Sequence, residues 1–160
     1  MKIATLAIIT RWNQVLLGVR KSKSAIGEGK LNGPGGKQKQ GETLIECLIR
    51  ETREEVGIEL NPAKLEKCAI ITFYAGGVPD FEVHVYRTSH FSGEMRETDE
   101  MIPDWYDYGP AHIRRLVERM FDSDYRWFPQ LVNGFRFCAN VYYQERGKGF
   151  LDMTFSPFTG

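Results

Sequence analysis

Residues 43–56 combine an apolar stripe with a row of carboxylates, and together these define a helix that must lie against a core. At about 100° per residue, Ile45, Leu48, Ile49, Thr52 and Val56 fall on one arc. Glu51, Glu54 and Glu55 fall on a neighbouring arc, because residues three and four apart share a helix face. Gly57 follows as a natural terminator. Three like charges on one face repel each other. They also stand toward the C-terminal end, where the helix dipole disfavours anions. As structure alone this arrangement costs stability, and a bound divalent cation would reverse the sign of that cost. The bland alternative is a solvated acidic face, relieved in part by Arg50 and Arg53.

The rest of the chain reads as strands around this helix. Residues 3–9 and 14–19 are expected as strands about a turn at Arg11-Trp12-Asn13. Residues 20–41, rich in Gly, Lys and Ser, read as loop. Residues 66–75 and 80–88 read as strands near Gly76-Gly77, and 102–107 as a shorter one. A second helix is expected over 110–121, opened by Pro110. Phe135–Tyr143 and Phe150–Thr154 read as a terminal hairpin. The pattern predicts an α/β fold with helices on both faces of a sheet. A length of 160 residues suits one domain spanning 1–160.

Charge excludes one function class. Lys plus Arg equals Asp plus Glu at 21 each, which does not suit a general nucleic-acid binder. Cys47, Cys68 and Cys138 lack metal-ligand spacing and are odd in number. They read as free thiols in a reducing compartment, so the expected location is cytoplasmic. The apolar start, Ile3 to Ile9, suits a buried strand better than a signal peptide. No run approaches membrane-spanning length.

Upstream of the helix, Gly33-Pro34-Gly35-Gly36 can bring backbone close to a ligand. Clustered carboxylates are hard oxygen ligands, suited to Mg²⁺ or to Mn²⁺. Gly36, Glu42 and the run Arg50-Glu51-Thr52-Arg53-Glu54-Glu55-Val56-Gly57-Ile58 resemble the Nudix box, G-x5-E-x7-R-E-U-x-E-E-x-G-U with U aliphatic. The departure is Thr52, at the centre of the buried stripe. Its hydroxyl is expected to bond the carbonyl one turn back. The resemblance implies the Nudix fold, an α/β/α sandwich with a central mixed β-sheet, and hydrolysis of a diphosphate linkage.

More of the chain resembles the MutT-homologue branch of that family, which acts on oxidised purine nucleoside triphosphates. The matching segments are Leu16-Leu17-Gly18, Asn32 to Lys37, Val83-His84-Val85, Asp99-Glu100-Met101 with Pro103 and Trp105, and Trp127-Phe128-Pro129. The resemblance implies a metal site of Glu51, Glu54, Glu55, Glu100 and the Gly35 carbonyl. Arg50 would fix the carboxylates, and Glu51 or Glu54 would orient or deprotonate the attacking water. Glu42 is expected to support the helix start or the loop. Asn32 and Asp124 would read the purine edge, and Trp127 would stack on the base or line its pocket. Phe73 and Phe81 would wall the pocket, Thr5 would lie on its floor, and Arg20 or Lys21 would approach the phosphates. Three departures fall in the base pocket: Ser123 where an aspartate is usual, Phe121 where tryptophan is, and Ile26 where an aromatic is.

The expected activity is hydrolysis of 8-oxo-dGTP or 2-hydroxy-dATP type triphosphates to monophosphate and pyrophosphate, by a monomer without nucleic-acid or membrane partners. The alternatives are a Nudix hydrolase of dinucleoside polyphosphates or capped RNA, and a nucleotide sensor without turnover. His84 reads as a core or surface histidine. Trp105 and the aromatics of 136–143 read as core, and Arg114-Arg115 as a solvated helix face.

Overall fold

The computed structural model describes residues 1–21 and 27–160. Ile26 therefore lies outside the described residues. The sheet is built around β1 (Lys2–Arg11), which serves different partners along its length. It pairs in parallel with β7 (Val78–Thr88), from Lys2 opposite Phe81 to Ile9 opposite Thr88. On its other edge it pairs antiparallel with β4 (Gly35–Lys37), and beyond that with β2 (Gln14–Arg20). β6 (Glu66–Ala75) lies antiparallel to β7 and parallel to β10 (Phe137–Glu145), which closes a hairpin with β11 (Lys148–Ser156). β3 (Leu31–Asn32) and β9 (Met101–Asp107) both pair with β2. A small separate ladder joins β5 (Glu59–Leu60) to β8 (Phe91–Ser92). The sheet is thus mixed.

Strand alternation sorts side chains onto its two faces. Ala7 and Ile9 of β1 and Leu16 of β2 pack with Leu48 and Val56 of α1 (Leu44–Val56). Ile8 of β1 with Val15 and Leu17 of β2 packs on the other face, under α2 (Ile113–Glu118) and α3 (Asp124–Val132). This is the α/β/α arrangement. No helix among the described residues is long and apolar enough to cross a membrane.

Helix α1 is bounded as local chemistry dictates. Thr43 Oγ1 accepts the Glu46 N–H at 3.1 Å, and the Glu46 carboxylate accepts the Thr43 N–H at 2.9 Å. This reciprocal cap satisfies two otherwise orphan donors. Gly57 ends the helix at φ 79°, a conformation glycine adopts without penalty. The buried face is rotated from the expected stripe. Cys47 and Glu55 are buried with Leu48, Thr52 and Val56, whereas Ile45 and Ile49 are half-buried.

Several expectations are corrected. The stretch 20–41 is not all loop: β3 and β4 form within it, held by pairing with β2 and β1 instead of by apolar periodicity of their own. The second helix is shorter than 110–121, covering Ile113–Glu118. Helix α3 was not expected. Its buried Asp124, Trp127, Phe128, Leu131 and Val132 follow helical spacing, but Pro129 lies inside it and obscures the pattern. The hairpin strands extend to Glu145 and begin again at Lys148, and Phe135 lies outside them.

Candidate active site

Helix α1 and the segment before β9 bring three carboxylates together. One oxygen each from Glu51, Glu55 and Glu100 lies within 4.8 Å of the other two. Thr98 makes this juxtaposition. Its hydroxyl donates to the Glu55 carbonyl at 2.8 Å and accepts the Glu100 N–H at 3.2 Å. The Glu100 carbonyl in turn accepts the Lys21 N–H at 2.9 Å. Thr98 carries no motif signal in the sequence.

Glu55 is only 1% exposed. Its carboxylate accepts the Gly35 N–H at 2.7 Å and lies 3.7 Å from the Arg20 guanidinium. Burial outweighs both partners and pushes its pKa up to about 8, with Glu51 and Glu100 adding repulsion. Burial also raises Glu51, against the pull of Arg50. A buried carboxylate that lacks enough cation is costly. The three oxygen donors therefore fit a hard divalent ion, Mg²⁺ or Mn²⁺.

Arg50 organises the flank of this cluster. It donates to Glu42 at 2.5 and 3.0 Å, to Glu51 at 2.8 Å, to Glu54 at 3.2 Å and to the Lys37 carbonyl at 3.2 Å. Glu42 also accepts the Lys39 N–H at 2.9 Å, so it ties the loop to the helix. The Arg50 contact holds the Glu42 pKa down to about 2. Glu54, with its side chain 46% exposed, sits beside Arg50 and not in the three-carboxylate cluster.

The glycines are needed for space. A Cβ on Gly36 would strike the Glu51 carboxyl group, and one on Gly35 would strike the Thr5 carbonyl oxygen.

Next to the cluster lies a pocket of about 420 Å³ on the α3 face of the sheet. It is bordered by Thr5, Arg20, Asn32, Phe73, Phe81, Asp124 and Trp127, and by Gly35 and Gly36. Arg20 thus touches both pocket and cluster. Lys21 instead donates to Glu97 and to the Thr98 carbonyl, both at 2.9 Å. Thr5 borders the pocket, but its hydroxyl lies 3.4 Å from Cys47 Sγ on α1. Asp124 is 3% exposed, and burial pushes its pKa up to about 7. Trp127 faces the same carboxyl, yet its Nε1 lacks a hydrogen bond of good geometry among the described residues.

Other residues fall elsewhere. Thr52 Oγ1 has no partner among the described residues, contrary to the expected bond one turn back, because its packed position leaves the hydroxyl facing no acceptor. Trp105 packs on Phe91, with ring centroids 5.5 Å apart, and under Arg11. Tyr143, expected as core, is buried and also lines the pocket, as does Phe121. His84 is buried and bonds Glu82 at 2.7 Å. Arg114 and Arg115 are exposed. The three cysteines are free thiols.

Known proteins resemble the chain in sequence and in fold. The NUDIX domain profile matches residues 1–131. An oxidized purine nucleoside triphosphate hydrolase of Danio rerio is 34% identical over 144 residues, covering 89% of this chain and 87% of its own. An 8-oxo-dGTP diphosphatase of Proteus vulgaris is 34% identical over 99 residues, covering 61% of this chain and 83% of its own. A solved mutator MutT protein from Bacillus halodurans superposes with a TM-score of 0.80 at 21% identity, covering 99% of this chain and all of that one, and so shares the fold. With its acidic helix, its glycine loop and a profile match over most of its length, the chain belongs to the NUDIX family of hydrolases.

Proposed function

We propose that the protein hydrolyses oxidised purine nucleoside triphosphates to nucleoside monophosphate and pyrophosphate, clearing damaged precursors from the nucleotide pool. The observation that carries this reading is the contact between pocket and carboxylate cluster through Arg20 and Gly35. A base in the pocket would place its phosphates beside the cluster. Asn32 and Asp124 supply polar groups for a purine edge, and Phe73, Phe81 and Trp127 supply apolar and aromatic walls. The relatives in Danio rerio and Proteus vulgaris carry names of this activity.

Glu51, Glu55 and Glu100, with the Gly35 carbonyl and Glu54 at the margin, would hold Mg²⁺. Such an ion would supply Lewis-acid polarisation of the phosphate and help activate the attacking water. The chain's own groups do the rest. Arg50 holds Glu51 and Glu54 in place, and one of these two would orient the attacking water or take its proton. Arg20 borders the pocket with its guanidinium 3.7 Å from Glu55, so it would approach a phosphate oxygen. The reading takes residues 1–160 as one monomeric cytoplasmic domain.

The test is a substrate panel with Mg²⁺ and with chelator. Oxidised and normal purine triphosphates, dinucleoside polyphosphates and capped RNA are scored by released product. Metal-dependent release of pyrophosphate from oxidised purine triphosphates is expected. Preference for capped RNA or dinucleoside polyphosphates, or tight binding without turnover, overturns the reading.

A further inference from the structure

The pocket's deep end holds a directed chain of hydrogen bonds. Tyr143 of β10 donates its phenolic proton to Ser123 Oγ at 2.9 Å. Ser123 donates its hydroxyl proton to Asp124 Oδ1 at 3.2 Å. The Ser123 N–H donates back to the Tyr143 oxygen at 3.0 Å, which locks the pair in register. Ser123 is 0%, Asp124 3% and Tyr143 3% exposed. Asp124 and Tyr143 line the pocket, whereas Ser123 stands behind them. Tyr143 also lies beyond the residues that the family profile matches.

The directions of these bonds constrain Asp124. Each hydroxyl has one proton to give. Tyr143 gives its own to Ser123, so Ser123 gives its own to Oδ1. In this direction Oδ1 is an acceptor. With the chain in this direction any proton on Asp124 sits on Oδ2, the oxygen that Ser123 does not bond. The carboxyl thus presents one defined group to a ligand: a donor in its acid form, an acceptor in its ionised form.

We infer that Ser123 and Tyr143 are positioning residues for base recognition, acting through Asp124 to fix which oxygen meets the purine edge. This rests on the pocket being the purine site proposed above. The groups facing Asp124 are Ser123, Trp127 and the Phe121 backbone from its own segment, Tyr143 from β10, and Lys30, whose charge favours the ionised form. The Ser123 hydroxyl favours the ionised form too, against burial. Removing that hydroxyl keeps Asp124 protonated to higher pH.

The test compares wild type with Ser123→Ala and Tyr143→Phe. Calorimetry measures the Kd of 8-oxo-dGMP and dGMP from pH 5 to 9. Steady-state turnover of 8-oxo-dGTP is measured alongside, with melting temperatures as a control for folding. Both variants are expected to bind 8-oxo-dGMP about tenfold more weakly, the scale of one hydrogen bond to an ionisable group. The pH at which Kd inflects moves upward, most in Ser123→Ala, and the loss in kcat/KM is carried mainly by KM. Kd profiles that superimpose on wild type overturn the inference, and so does a lower melting temperature with an unmoved inflection. Should Ser123→Ala not fold, Tyr143→Phe, which removes a single oxygen, decides the matter. Binding that responds to the variants in a protein that turns over no purine triphosphate supports the relay and refutes the proposed activity. Turnover with unresponsive binding does the reverse, and absence of purine binding refutes both.

Discussion

The Glu55 carboxylate accepts the Gly35 backbone N–H at 2.7 Å, joining α1 to β4 at the point where pocket and carboxylate cluster meet. Glu55 is buried, short of cationic partners and raised to about 8 in pKa. This is the electrostatic condition that a divalent ion relieves. Glu55→Gln keeps the shape and the Gly35 contact but removes the charge. Turnover with Mg²⁺ is expected to fall at least about a hundredfold, since even groups that only support metal ligands are worth 10–100-fold. The melting temperature without metal should hold or rise. Unchanged kcat in this variant would refute the metal-site assignment.

The two adjacent glycines should respond differently to alanine. At Gly36 the added methyl meets the Glu51 carboxyl group, a side chain that can move aside. Gly36→Ala should therefore lose most activity with a modest change in melting temperature. At Gly35 the methyl meets the Thr5 carbonyl in the neighbouring strand, which cannot yield without distorting β1. Gly35→Ala should lose stability by about 3 kcal/mol, at the upper end for overpacking. Urea titration beside turnover assays separates the two outcomes.

Thr52 is a buried hydroxyl without a partner among the described residues. Valine has nearly the same shape and no polar group to leave unpaired. Thr52→Val should stabilise the protein by about 1 kcal/mol, read as an upward shift of the urea midpoint with an unchanged slope and unchanged kcat/KM.

The Glu42–Arg50 pair gives stability a defined pH dependence. Arg50 depresses the folded-state pKa of Glu42 to about 2, below its ordinary value. The carboxylate's contribution is therefore complete above the unfolded pKa and is lost as pH falls toward 2. Glu42→Gln should be less stable than wild type at pH 6, and the two should converge near pH 2. Parallel denaturation curves at both pH values would show that the pair does not set this limb.

Much of α1 could be read from the chain alone. The stop at Gly57 and the sharing of a face by Glu51, Glu54 and Glu55 follow from local spacing, whereas Thr43, expected within the helix, is its cap. Helix α3 was legible in principle at the same spacing, but Pro129 within it concealed the pattern. The short strands β3 and β4 were not legible, because their cause is a partner strand distant in sequence.

The acidic helix, the glycines before it and the family to which they belong were determined by the sequence itself, since each follows from local geometry or from a long spaced motif. Tertiary structure decided which of those charges act together. It buried Glu55, left Glu54 beside Arg50, and brought Glu100 to α1 through Thr98. It turned Arg20 toward Glu55 and Lys21 toward Glu97. It also linked Tyr143 of β10 to Asp124, 19 positions apart in the chain, through Ser123. Such contacts join residues far apart in sequence, and their energies come from burial and hydrogen bonding that exist only once the sheet has formed.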